Sequence, residues 1–329
     1  MTTRLAQAGR LPTGLLWLTL VALLAGCPSR PGSGPLLPSA GGAPRPVVAV
    51  SLPPLADWVH QVAGDAVQVV TLLPPGASPH TFEPTPRLAE QASAAALVVV
   101  IGLGLDLWAE RLAAPSGARV LRLGPLVPTL PLAPEQGPTG GAGQADEHEE
   151  GHADPHVFVD PVRAATMVAA LTEALVPLVP DSAPEMRRRS QAYQQELQAL
   201  AQELEARLRP YRGRRLTTMH GGFNYFLARC GLPPALVLTP YPGQEPSARY
   251  LEWLIQTLRA LEVQVVAAEP QFSPRAAETL AAETGARLIT LDYLGNPQDP
   301  ARDTYVKLLR WDAEQLVKGL SAAGGLPQG

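Results

Sequence analysis

Short runs rich in β-branched residues recur along this 329-residue chain, each followed by a stretch with helical spacing. Few folds other than layered α/β sheets accommodate that rhythm. In the first half, Val47 to Val50, Val67 to Leu72, Leu97 to Ile101 and Arg119 to Leu123 read as strands. Helices are expected from Pro54 to Ala63, Pro86 to Ala95 and Leu105 to Ala114. The second half repeats the alternation, with strands at Leu216 to Met219, Ala235 to Leu238, Gln264 to Ala268 and Arg287 to Leu291, and helices between them and after Pro300. Successive strands joined through helices return in the same direction, so mainly parallel sheets follow.

Between the halves one helix is expected from Pro161 to about Val176. A longer one follows, with Asp181 and Ser182 as its cap, Pro184 in its first turn and Pro210 as its stop. Met186, Tyr193, Leu197, Leu200, Leu204 and Leu208 form one apolar stripe along it. At ~1.5 Å per residue this element is roughly 40 Å long, enough to cross a whole lobe. The last helix shows a similar, mostly amphipathic stripe, with Tyr305, Leu308, Leu309, Trp311, Leu316 and Leu320. The fold class is therefore α/β: two βαβ lobes, 47–180 and 211–329, joined by a rigid spine helix over 181–210, with a ligand cleft between them. Between Pro131 and Asp154 no hydrophobic period survives, and a mobile loop rich in Gly, Glu and His is expected.

Arg4 and Arg10 precede an apolar stretch from Leu15 to Leu24, about ten residues where a spanning helix needs ~20. Residues 1–26 therefore read as a signal peptide. Leu24-Ala25-Gly26-Cys27 resembles a bacterial lipobox, which makes Cys27 the lipidated first residue of an extracytoplasmic, membrane-anchored protein. Residues 27–46, mostly Pro, Gly, Ser and Ala, read as a tether. With Cys27 acylated, Cys230 has no disulfide partner and is expected to be a buried structural thiol. A formal charge of −4 without a basic run leaves no footprint for nucleic acid.

Of the six histidines, His80, His156 and His220 stand at strand ends or in the loops beyond them, as does Asp292. Open α/β sheets place their ligand sites there. His80 lies in a proline-rich loop, 74–86, and His156 between Pro155 and Pro161, so fixed φ angles stiffen the backbone around both. Three imidazoles and a carboxylate suit four-coordinate Zn²⁺. Any one of these histidines alone would more often be structural or exposed.

Ser78-Pro79-His80-Thr81-Phe82-Glu83-Pro84, Asp154-Pro155-His156-Val157-Phe158-Val159-Asp160-Pro161 and His220-Gly221-Gly222-Phe223-Asn224-Tyr225-Phe226 resemble the signatures of the zinc/manganese substrate-binding proteins of ABC transporters. Further similar segments are Gly102-Leu103-Gly104-Leu105-Asp106-Leu107-Trp108, Gln244-Glu245-Pro246-Ser247-Ala248, Glu269-Pro270-Gln271-Phe272-Ser273 and Leu291-Asp292-Tyr293-Leu294-Gly295. The resemblance implies His80, His156, His220 and Asp292 as metal ligands, two lobes that change little on binding, and delivery to membrane permease and ATPase subunits by a monomeric receptor without catalysis. Manganese-selective relatives usually carry Glu where this chain has His220, so the resemblance favours zinc, with Mn²⁺ as the alternative. Arg87, Leu88 and Tyr293 depart from the family pattern without removing a ligand.

His148-Glu149-Glu150-Gly151-His152 matches H-E-x-x-H literally, but Gly151 and the flanking Gly140 to Gly143 argue against the helix that a zinc protease needs. It reads as a reduced histidine loop or a solvated acidic one. His60 is expected to be structural or exposed. Glu83, Asp154 and Asp160 are candidates to hold the outer nitrogens of the ligating histidines, or to act as caps. Two rival functions remain at this level. One is a zinc hydrolase with three histidine ligands and Asp292 as general base; the other is an adhesin whose metal only stabilises the fold.

Overall fold

The computed structural model describes residues 45–132, 153–239 and 242–321. The segments expected to form the signal peptide and nearly all of the tether, together with Cys27, His148 and His152, lie outside the described residues.

β1 (Val47–Val50), β2 (Gln68–Thr71), β3 (Leu97–Val100) and β4 (Arg119–Arg122) form one parallel sheet in the order β2-β1-β3-β4. The second sheet consists of β5 (Thr217–Thr218), β6 (Leu236–Val237), β7 (Val265–Ala268) and β8 (Arg287–Thr290), all parallel, in the order β6-β5-β7-β8. The two orders are the same once the strands of each half are counted from one. In each sheet the chain crosses back over its first strand, creating a switch point beyond the carboxyl ends of the central pair, where α/β sheets bind ligands. The central strands are apolar on both faces because helices cover both. Val48, Val50, Leu97 and Val99 face one hydrophobic cluster, and Ala49, Val98 and Val100 face another.

The helices are α1 (Pro53–Ala63), α2 (Pro86–Ser93), α3 (Leu107–Ala113), α4 (Pro161–Leu175), α5 (Ala183–Leu208), α6 (Asn224–Arg229), α7 (Ala248–Ala260), α8 (Arg275–Thr284) and α9 (Tyr305–Ser321). α2 and α3 cover the outer face of the first sheet, α7 and α8 that of the second. α5 packs against α1, α4 and α9, and Met186, Tyr193, Leu197, Leu200, Leu204 and Leu208 along it are all buried. One hydrophobic cluster joins these helices to Val48 and Val99 of the first sheet and to Val265, Ala267 and Ile289 of the second. The described residues accordingly belong to one compact unit.

Three local expectations shift. The third helix begins at Leu107 and not Leu105, because the Asp106 carboxylate accepts from the Ile101 and Gly102 amides at 2.7 and 2.8 Å and from the Ser51 hydroxyl. Those bonds hold 102–105 as a turn, with Leu103 at φ 55° between two left-handed glycines. Burial raises the Asp106 carboxyl to about 6. At the start of α5, Pro180–Ser182 forms a 3₁₀ turn, and the Ser182 side chain makes no capping bond. Finally, β5 and β6 are only two residues long, and β5 ends just before His220.

Candidate metal centre

His80 stands beyond β2, in a loop whose backbone is tied down around it. The Thr81 amide donates to the Ser78 carbonyl at 3.3 Å, and the Trp108 indole N–H donates to the Pro79 carbonyl at 3.1 Å. Phe82 stacks edge-on against Trp108 with ring centres 4.8 Å apart. A residue from α3 thus fixes the peptide unit next to the histidine.

His156 opens a turn just before α4. The Asp154 Oδ1 atom lies 2.8 Å from His156 Nδ1 and accepts from the His156 amide at 2.9 Å. Asp154 is itself held through its backbone, its amide donating to the Leu130 carbonyl at 2.9 Å and its carbonyl accepting from the Tyr225 hydroxyl at 2.7 Å. Burial pushes the Asp154 carboxyl up, but the bonds and charge at His156 outweigh it and leave the group below the usual carboxylate range.

His220 leaves β5 directly, and its partner leaves the neighbouring strand β7 directly. Glu269 places Oε2 2.9 Å and Oε1 3.2 Å from His220 Nδ1, and Oε1 also accepts from the Met219 and His220 amides at 3.1 and 3.3 Å. Gly222 is required beside it, since a Cβ there would lie 2.6 Å from the His220 ring.

With both Nδ1 atoms taken, the Nε2 atoms turn inward. His156 Nε2 is 3.1 Å from His80 Nε2 and 3.2 Å from His220 Nε2. The ligand nitrogens of His80, His156 and His220 all lie within 4.8 Å of one another. His156 and His220 are buried and His80 is partly exposed. Desolvation, then the neighbouring His220 and His156, hold the His80 imidazole well below the ordinary histidine range. Three imidazoles facing one point, two of them backed by carboxylates, match the donor chemistry of a zinc site and the groups that support its ligands.

Asp292 is not part of that group. It follows β8, but Oδ1 accepts from Gln271 Nε2 at 2.8 Å and from the Leu294 and Gly295 amides at 3.0 and 3.1 Å. Oδ2 accepts from Arg302 Nη1 at 2.7 Å. The neighbouring Tyr293 ring closes the floor, 5.1 Å from the His220 ring and 5.7 Å from that of His156.

A family model described as "Zinc-uptake complex component A periplasmic" matches residues 48–319. The chain belongs to that zinc-uptake family. It is similar to the high-affinity zinc uptake system protein ZnuA of Yersinia pestis, 26% identical over 288 residues that cover 83% of this chain and 91% of that one. It is also similar to the zinc-binding lipoprotein AdcA of Streptococcus pneumoniae serotype 4, 26% identical over 277 residues. That match covers 82% of this chain and spans 55% of AdcA's length. A crystal structure of ZnuA superposes with a TM-score of 0.72 at 28% identity, covering 84% of this chain and all of that one. The α/β architecture with its long helix is thus that of the family.

Of the remaining candidates, only Asp154 supports a site histidine. Asp160 caps α4, accepting from the Val162 amide at 3.0 Å, and pairs with Arg163 and Arg229. Glu83 and His60 are exposed. Cys230 is buried, and burial pushes its thiol up to about 12, which leaves it unreactive. Glu269 was not singled out from the sequence as a histidine partner; its position just beyond a strand, like that of His220, is the signal that could have found it.

Proposed function

We propose that the chain is an extracytoplasmic receptor that captures Zn²⁺ at His80, His156 and His220 and delivers it to the permease and ATPase subunits of an ABC importer. The convergence of three Nε2 atoms from three separate segments carries this reading. The Nδ1 bonds to Asp154 and Glu269 fix which nitrogen of His156 and His220 faces the ion and raise its basicity. Imidazole at position 220, in place of a hard carboxylate, favours zinc over Mn²⁺. Asp292 is the candidate fourth donor. Cys27 carries the lipid that keeps the receptor at the membrane surface, and the ion is cargo, with no reaction performed on a substrate. The receptor works as a monomer.

Calorimetric titration of the mature chain with Zn²⁺ and Mn²⁺, beside His80→Ala, His156→Ala and His220→Ala, tests the reading. Each alanine variant is expected to lose at least ~100-fold in zinc affinity, since the free energy of a zinc site is divided among a few ligands. Undiminished zinc binding in all three removes the site. The metal-free chain is expected to stay folded and to gain about 4 kcal/mol of stability at a zinc concentration a thousand times Kd. Unfolding on metal removal would favour the adhesin reading, in which the metal only stabilises the fold. A water-bound cobalt derivative with hydrolytic turnover would favour the hydrolase.

A further inference from the structure

Asp292 and Arg302 form a charge-assisted contact next to Tyr293, whose ring borders His156 and His220. The Asp292 carboxylate is almost wholly buried, and the two oxygens differ in how they are held. Oδ1 is fixed by three N–H donors, from Gln271, Leu294 and Gly295, and Oδ2 is held by Arg302 at 2.7 Å. Arg302 is aimed by a second carboxylate, its Nε donating to Asp299 Oδ2 at 2.9 Å, and its guanidinium lies 5.0 Å from the centre of the Trp311 ring. The Asn296 amide donates to the Arg302 carbonyl at 3.1 Å, so the segment from Asp292 to Arg302 closes on itself as a loop. Gly295 sits in it at φ 77°, and a cavity of about 240 Å³ lined by Gly295, Asn296, Arg302 and Thr304 lies against it. The loop therefore has room beside it.

We propose that Arg302 sets the affinity and release rate of the zinc site by competing with the ion for Asp292 Oδ2. This deepens the zinc reading and rests on it. A carboxylate oxygen that accepts a charged N–H at short range cannot also give its full electron density to a cation, and the guanidinium adds like-charge repulsion towards the ion. Zinc then rests chiefly on the three imidazoles, and Asp292 joins only in the fraction of molecules in which Arg302 has let go. Arg302 is thus a positioning residue, acting on the metal through Asp292.

The test is a set of zinc competition titrations and stopped-flow release measurements on the full mature chain, with R302M, D292N, the double variant and D299N. Freeing Oδ2 in R302M is expected to tighten zinc binding about tenfold or more and to slow release in proportion, since a charge-assisted hydrogen bond is removed from the competition. D292N should stay within about threefold of wild type, because the carboxylate contributes little while Arg302 holds it. The double variant should fall back to D292N, which simple loosening of the loop would not produce. Cobalt absorption should intensify in R302M alone, reporting the added ligand. D299N, which leaves Arg302 aimed less firmly, should tighten binding by a smaller factor; it carries the test if circular dichroism shows R302M unfolded. Unchanged or weaker zinc binding in folded R302M, or in D299N where R302M does not fold, overturns the proposal. Large loss in D292N also overturns it, as does equal tightening in the double variant. If wild type does not bind zinc, the receptor reading itself falls; if wild type binds through its histidines and Arg302 proves indifferent, only this inference falls.

Discussion

His156 and His220 are aimed by carboxylates, whereas His80 is aimed by the backbone around it. The first pair spend Nδ1 on Asp154 and Glu269, groups anchored through backbone amides, a backbone carbonyl and Tyr225. His80 depends on prolines, a single turn and the bond from Trp108 to the Pro79 carbonyl. The difference shows two ways to pre-organise an imidazole. A carboxylate fixes tautomer and adds basicity; a stiff loop fixes direction and leaves the ring more exposed.

The widest gap between the two halves of that comparison is expected from Asp154→Asn and Glu269→Gln. Each keeps its shape but removes the charge behind a histidine, so zinc affinity should fall about 10–100-fold. A change under twofold, measured by chelator competition, would mean that the carboxylates only fill space. Next comes Gly222→Ala. The new methyl would meet the His220 ring and must tilt it, and a loss on the order of tenfold is expected while Asp154 variants respond as before. Trp108→Phe tests the loop side. It removes one hydrogen bond to the backbone beside His80, which costs about 1 kcal/mol, and it should show as roughly a fivefold faster zinc release. An equal loss from Trp108→Phe and Glu269→Gln would erase the distinction.

The smallest effect is in the pH dependence of the metal-free chain. His80 has its proton affinity lowered from a usual value of 6.5, so the unfolded chain takes up a proton that the folded one refuses. Stability should therefore be full above that value and decline as pH falls below it. Asp154, lowered from 3.8, has the same sign in a second window beginning near that value. Urea midpoints across pH should flatten in the upper window for His80→Ala and in the lower one for Asp154→Asn.

Much of this was readable along the chain, for reasons that particular residues make clear. The runs Leu97–Val100 and Val265–Ala268 are buried on both faces and therefore apolar throughout, so they announce themselves as strands. β5 and β6 do not, since two residues are too few to show any period. The histidines were legible because each sits beside prolines or at the end of a run. Their supports were less so: Asp154 is two residues from His156, but Glu269 is 49 from His220, and only the pairing of β5 with β7 brings them together. The Asp292–Arg302 pair stayed hidden for a different reason. Family resemblance assigned the carboxylate to the metal, and nothing in a linear pattern says which of two cations a buried acid faces.

The continuous apolar cluster through α1, α4, α5 and α9 has a mechanical consequence. Prising the two sheets apart would wet side chains from both, at about 25 cal/mol for each Å² of apolar surface uncovered. A receptor welded in this way does not empty by gaping. The compliance it needs must reside in short segments hung on a stiff chassis, and the docking partner would have to push on those segments to make the ion leave.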